Sequence, residues 1–205
     1  MLDHEGFDLW ADGYDASVEA ADEINAYPFA GYRDVLGRIY QQVLEKPKAA
    51  VLDIGFGTGT LTTRLYERGC TIYGQDFSEN MLTVALKKMP GAFLYLGDFA
   101  QGLAKPLLRQ KYDAIIATYS LHHLTDKQKI SLLNVLINQL NEGGKILIGD
   151  IAFQTRLELE KCHREAGEGW DDEEFYFVSD ELKENFPHLS FAKVSHCAGI
   201  ITIIP

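Results

Sequence analysis

Apolar residues recur along this chain in two rhythms that keep trading places. Between Phe29 and Pro47 they fall three and four positions apart, at Tyr32, Val35, Leu36, Ile39, Tyr40, Val43 and Leu44, which predicts one helix with a single buried stripe. From Ala49 onward short strand-like runs alternate with helical stretches. The runs are Ala49–Ile54, Thr71–Gly74, Phe93–Leu96, Asp113–Thr118 and Lys145–Ile151, and the helices cover about Thr60–Arg68, Glu79–Lys88 and Asp126–Leu140. Thr125 and Gln128 form a capping-box pattern at the start of the last helix, and Gly143-Gly144 stops it. Strands joined by helical crossovers of this length predict a parallel sheet covered on both faces, a doubly wound α/β fold. The end of the chain reads differently. After a polar, helical-looking stretch from Gln154 to Gly169 and a short helix near Asp180–Phe186, the runs Ser190–His196 and Gly199–Ile204 are separated by almost nothing. So short a link makes them an antiparallel hairpin.

Composition narrows the setting. At 205 residues and 46% hydrophobic content the chain holds one well-packed domain. No apolar run approaches the ~20 residues of a membrane span. Met1 to Glu5 has neither the basic start nor the apolar core of a signal peptide, so a cytoplasmic protein with no membrane partner is expected. Cys70, Cys162 and Cys197 are odd in number and lack CxxC spacing, which points to reduced, structural thiols. The net charge of −11 is uneven: residues 1–48 carry ten acids and four bases, 49–150 nine and ten, and 151–205 eleven and five. A near-neutral centre between acidic flanks is a poor match for a phosphate backbone, and nucleic acid is disfavoured as a partner.

In an open parallel sheet, ligands sit at the carboxyl ends of the strands. The first strand runs into Gly55, Gly57 and Gly59, a G-x-G-x-G turn with Thr60 where the dinucleotide pattern would have its third glycine. Such a turn lets a ligand approach the backbone, and the following helix start attracts a negative group. The second strand ends at Asp76, about 20 residues on, where a carboxylate can accept both hydroxyls of a ribose. Ser78 takes the N-cap position that Asp76 could otherwise fill. The third strand ends Gly97-Asp98-Phe99. There a carboxylate and a backbone N–H could meet adenine, with Phe77 and Phe99 as apolar cover; the alternative is a turn-closing Asp98 with Phe99 in the core.

Leu52-Asp53-Ile54-Gly55-x-Gly-x-Gly59, Asp76-x-Ser78-x-x-Met81-Leu82, Gly97-Asp98-Phe99, Tyr112-Asp113 to His122-His123-Leu124 and Leu140-x-x-Gly143-Gly144 resemble, in order and spacing, the successive motifs of class I S-adenosylmethionine-dependent methyltransferases. The terminal hairpin resembles that family's last two strands. The resemblance implies a Rossmann-like sheet of seven strands in the order 3-2-1-4-5-7-6. It divides the chain into an N-terminal lid and packing helix (1–48), a cofactor-binding core (49–151), a helical substrate cover (152–187) and the hairpin (188–205). Trp10-Ala11-Asp12-Gly13-Tyr14-Asp15 resembles the entry segment of small bacterial members, which implies that Tyr14 lies over the cofactor. Carried over by position, Asp53 and the Gly55–Gly59 backbone, Phe56 included, take the methionine end of S-adenosylmethionine with the Thr118 carbonyl. Asp76 takes the ribose, beside Phe77, and Asp98 with Phe99 takes the adenine.

Methyl transfer from a sulfonium is an in-line displacement, so alignment and exclusion of water are the main tasks. A base, if needed, is expected in Thr118-Tyr119-Ser120-Leu121-His122-His123; the family pattern makes His123 structural and leaves His122 as the candidate base. Tyr119, His122 and Phe153 are the substrate-side candidates. The stretch lacks the Asn/Asp-Pro-Pro-aromatic run and the cysteine of base-modifying methyltransferases, so a small-molecule acceptor is expected. The aromatics of the flanks, among them Trp170, Phe175, Tyr176 and Phe177, could line the acceptor site or belong to the core. Asp171-Asp172-Glu173-Glu174 reads as a solvated helix start without a second cluster to complete a metal site, and no metal is expected. An NAD-dependent oxidoreductase shares the glycine turn and the ribose acid; the glycine spacing and the hairpin argue against it. A module that binds the cofactor without transferring the methyl group is the third reading.

Overall fold

The computed structural model of the chain describes residues 27–205. The Trp10–Asp15 segment with Tyr14, and the expected lid up to residue 26, lie outside the described residues. Eight strands build the sheet: β1 (Ala50–Ile54), β2 (Thr71–Asp76), β3 (Phe93–Leu96), β4 (Tyr112–Thr118), β5 (Leu140–Phe153), β6 (Phe177–Val178), β7 (Leu189–Lys193) and β8 (Ala198–Ile203). They lie in the order β3-β2-β1-β4-β5-β8-β7, with β6 against the end of β5. The first five are mutually parallel, and β8 runs antiparallel to both β5 and β7. This is the expected order once the two-residue β6 is numbered.

Successive strand residues feed opposite faces, as a pleated sheet requires. Val51 joins the cluster under α1 (Tyr32–Leu44), α2 (Thr60–Glu67) and α3 (Glu79–Lys88), whereas Leu52 joins the one under α4 (Asp126–Ile137). Helix α1 turns Val35, Ile39 and Val43 inward, the stripe read from its spacing. It packs on β5 and β8. That approach needs Gly149, where a Cβ would stand 2.3 Å from Val35 Cγ1 and 2.7 Å from Ile39 Cδ1. Thr125 and Gln128 form the expected capping box, and Ser78 caps α3.

Three boundaries differ from the sequence reading. Helix α4 ends at Ile137, because Leu140 already pairs with Tyr112 and the ladder then skips, so that Ala114 faces Lys145. Strand β5 continues through Phe153, where Ala152 and Phe153 pair with Phe177 and Val178. The cover is therefore only partly helical: α5 (Arg156–Ala166), a 3-10 turn, a loop, β6 and α6 (Ser179–Leu182). Two residues of strand carry no readable period.

Lys129 of α4 fastens this cover. It is 1% exposed, its ammonium donates to the Phe175 carbonyl and, at 3.2 Å, to Asp126, and it lies 4.3 Å from the centre of the Phe177 ring. A buried ammonium needs such partners. Among the described residues no helix is long and apolar enough to cross a membrane.

Candidate active site

The chain leaves β1 through three glycines with φ of 72° (Gly55), 55° (Gly57) and 76° (Gly59). Gly55 is needed twice over: its φ disfavours a side chain, and a Cβ there would stand 2.5 Å from Ser120 Cβ. Ser120 is held in turn by donating to the Ile54 carbonyl at 2.7 Å. At the end of β2, Asp76 accepts the Gly57 N–H on one oxygen and the Ser78 N–H on the other, at 2.8 and 2.9 Å. Asp76 thus braces the glycine turn against the start of α3.

These elements frame a cleft of about 730 Å³, open to solvent at its mouth. Asp53, Gly55, Phe56, Gly57, Asp76, Phe77, Phe99, Thr118 and Tyr119 all border it. Gly59 stands behind them as the N-cap of α2. Asp98 also lies off the lining, where it accepts the Ala100 N–H at 2.8 Å and caps the 3-10 turn Phe99–Gln101. Phe153 is fully buried in the core at the β5–β6 pairing and does not reach the cleft, which corrects its placement among substrate-side residues. Tyr119 has φ 49°, a conformation that is costly for a non-glycine residue and clusters at functional sites. Its ring packs 5.0 Å from Tyr32 and 5.6 Å from Phe29.

Asp53 tests the fit of a cationic ligand. It is 1% exposed; one carboxylate oxygen accepts the Thr62 hydroxyl, and the other has no hydrogen-bond partner among the described residues. Burial pushes its pKa up to about 7, against the Thr62 hydrogen bond and with help from nearby Asp76. A carboxyl whose folded pKa lies above its unfolded value costs stability as it ionises between about pH 4 and 7. An ammonium on the orphaned oxygen would repay that cost. The affinity for S-adenosylhomocysteine, which carries such an amine, is therefore expected to rise with pH below about 7, by up to ~10-fold per unit, and to level off by about pH 8. Asp53→Asn should flatten the profile in calorimetry; an unchanged slope would sink the assignment.

The two histidines are placed the other way round from the sequence reading. His122 sits off the cleft, with Nδ1 2.6 Å from Asp150 Oδ1 and Nε2 3.5 Å from Glu174 Oε1. Burial pulls its pKa down, but the two carboxylates outweigh it and hold the ring above the usual histidine range. It is poorly placed to be a base. His123 borders the cleft instead, and burial, together with His122 beside it, depresses its pKa to about 3, so its imidazole is neutral. The Asp171–Glu174 run is a turn and not a helix start, with Asp171 accepting the Glu173 N–H at 2.8 Å. Trp170, Tyr176 and Phe177 do not border the cleft. Trp170 stacks 5.2 Å from Tyr27 and meets Tyr176 edge-on at 4.8 Å, while Phe177 joins the core.

A glycine turn braced by a strand-end acid, on a doubly wound sheet closed by a hairpin, defines a cofactor-binding α/β enzyme fold. Residues 51–144 match the family model for a methyltransferase domain. An uncharacterized methyltransferase of Geobacillus sp. strain WCH70 is 38% identical over 181 residues, covering 88% of this chain and 80% of its own. Another, of Bacillus mycoides strain KBAB4, is 32% identical over 207 residues, covering 95% and 94%. Among solved structures, a DhpI–SAH complex superposes with a TM-score of 0.71 at 17% identity, over 98% of this chain and 94% of that one. Magnesium protoporphyrin IX methyltransferase (ChlM) of Synechocystis PCC 6803 with bound SAH gives 0.66 at 19% identity, over 85% and 83%. The chain belongs to the class I S-adenosylmethionine-dependent methyltransferases, and S-adenosylmethionine is its cofactor. The oxidoreductase reading falls away.

Proposed function

We propose that this methyltransferase acts on a small-molecule acceptor in the cytoplasm. The observation that carries the reading is the lining of the cleft, to which Tyr32, Leu36, Tyr119 and His123 add apolar and aromatic surface beside the acids. A chain with net charge −11 would repel a phosphate backbone, and three free, buried thiols suit a reducing compartment. ChlM, by its name, acts on magnesium protoporphyrin IX, so the fold accommodates acceptors of that size class.

S-adenosylmethionine supplies an activated methyl group when bound. The chain's own residues hold and orient. The orphaned Asp53 oxygen and the Thr118 carbonyl would take the methionine ammonium, and the N–H groups of the glycine turn its carboxylate. Asp76 would accept the ribose hydroxyls, with Phe77 and Phe99 against the adenine and Asp98 at its rim. Tyr119 and Tyr32 would exclude water from the acceptor side, with Tyr14 completing the closure from the N-terminal segment.

Two measurements test this. Asp76→Ala is expected to weaken S-adenosylhomocysteine binding by roughly 100-fold or more in calorimetry, the loss of about two hydrogen bonds to a charged group. Full binding by the variant would overturn the ribose role. Incubating the enzyme with a labelled methyl donor and a cell extract should then label low-mass compounds; label confined to RNA or protein would overturn the acceptor class.

A further inference from the structure

The acidic turn that seemed to lack partners has them across the fold. Among the described residues, His122, His123 and Glu174 bring one donor atom each to within 4.8 Å of one another. Nε2 of His122 is 3.5 Å and Nδ1 of His123 3.7 Å from the same Glu174 oxygen. Both distances are long for hydrogen bonds. They are close to the roughly 3.3–3.5 Å between ligands that share one tetrahedral zinc at ~2.0–2.2 Å. We propose that this corner binds a single transition-metal dication of the zinc class through His122 Nε2, His123 Nδ1 and Glu174.

The surroundings are built as such a site requires. Asp150 is fully buried and bonds the far nitrogen of His122 at 2.6 Å, which orients the ring and directs Nε2 toward Glu174. A carboxylate behind a ligating imidazole is the usual outer partner of a metal-bound histidine. With Nδ1 turned to Asp150, Nε2 faces the Glu174 carboxylate, an arrangement that accommodates a shared cation, a metal ion or a proton, between them. Glu174 is itself fixed in place. The next residue, Phe175, donates its N–H to the His122 carbonyl at 2.8 Å and accepts the Lys129 ammonium on its own carbonyl. The two imidazoles lie side by side, ring centres 4.2 Å apart.

The donor set chooses the metal. Two imidazoles and one carboxylate suit zinc, iron or nickel rather than the all-oxygen preference of calcium or magnesium. His123 and Glu174 are 23% and 20% exposed, which leaves an entry path and room for a fourth ligand. Three protein ligands and one open position are the pattern of reactive rather than structural zinc. His123 also borders the cleft, so the open position faces the acceptor side. That last placement rests on the function proposed above; metal binding itself does not.

The test uses the full chain without a polyhistidine tag, stripped with a chelator. Cobalt(II) titration followed by visible absorption, then displacement by zinc(II), is expected to show one metal per chain. Glu174→Gln and His123→Asn should each weaken uptake by at least the ~10- to 100-fold typical of losing even an outer partner. A Cys162→Ser control should bind normally. Circular dichroism and S-adenosylhomocysteine affinity report whether each variant is folded, and neither donor nor acceptor enters the metal titration. No uptake by the wild type would overturn the proposal and leave a proton as the shared cation, and equal uptake by both variants would place the metal elsewhere.

Discussion

Gly55→Ala is expected to lose S-adenosylhomocysteine affinity by about 30-fold or more and to lower stability as well. The left-handed conformation costs a non-glycine residue ~1–2 kcal/mol. The new Cβ would also stand 2.5 Å from Ser120 Cβ, so either the turn or Ser120 must move. If Ser120 moves, its hydrogen bond to Ile54 goes, at about 1 kcal/mol. The sum, roughly 2–3 kcal/mol, is divided between folding and binding, and a turn displaced by even half an ångström no longer presents its N–H groups to the ligand. Gly57→Ala is the comparison. Its Cβ would meet no atom of the described residues within 4 Å, so its stability cost should be backbone strain alone while binding still suffers. Calorimetry and urea unfolding on both variants check this; equal stability losses would show that the Ser120 contact is not what constrains Gly55.

Asp150→Ala should be the most destabilising single change among the polar residues of the site, about 3–5 kcal/mol. Asp150 accepts the His122 ring at 2.6 Å, the Leu121 N–H at 3.2 Å and the Ile151 N–H at 2.8 Å, all away from water. Its removal strands a buried imidazole and two backbone donors. For a domain of this size the loss corresponds to a fall in Tm of about 6–20 °C. Asp150→Asn keeps an acceptor but sets an amide N–H₂ where charge was needed, and should recover only part. Chelator-treated protein, unfolded by heat and by urea, gives the comparison; an alanine variant within about 1 kcal/mol of wild type would show that the pair contributes little.

Local signals carried most of the fold. The α1 stripe, the Thr125–Gln128 capping box and the Ser78 cap each depend on residues within a few positions, and each stands as read. The acids at the ends of β1 and β2 were legible because a parallel sheet gathers its strand ends on one edge. What was hidden depends on distant partners. Choosing between adjacent His122 and His123 requires knowing that Asp150, 28 residues on, takes the first ring inward. Phe153 looked available because the two-residue strand β6, which extends the pairing of β5 to it, leaves no readable period. Lys129 sits among the polar positions of an amphipathic helix, and nothing nearby announces that it reaches across to Phe175, 46 residues on.

The bare backbone of Gly149 lets α1 settle on a floor made of β5 and β8, and this orders events at the ribosome. Strand β8 spans Ala198–Ile203, so α1 waits for residues far along the chain before its floor is complete. Until then Val35, Ile39 and Val43 face solvent on the nascent chain, an adhesive stripe that chaperones would have reason to shield. Docking of α1 thus follows the emergence of β8, however early the glycine turn is synthesised.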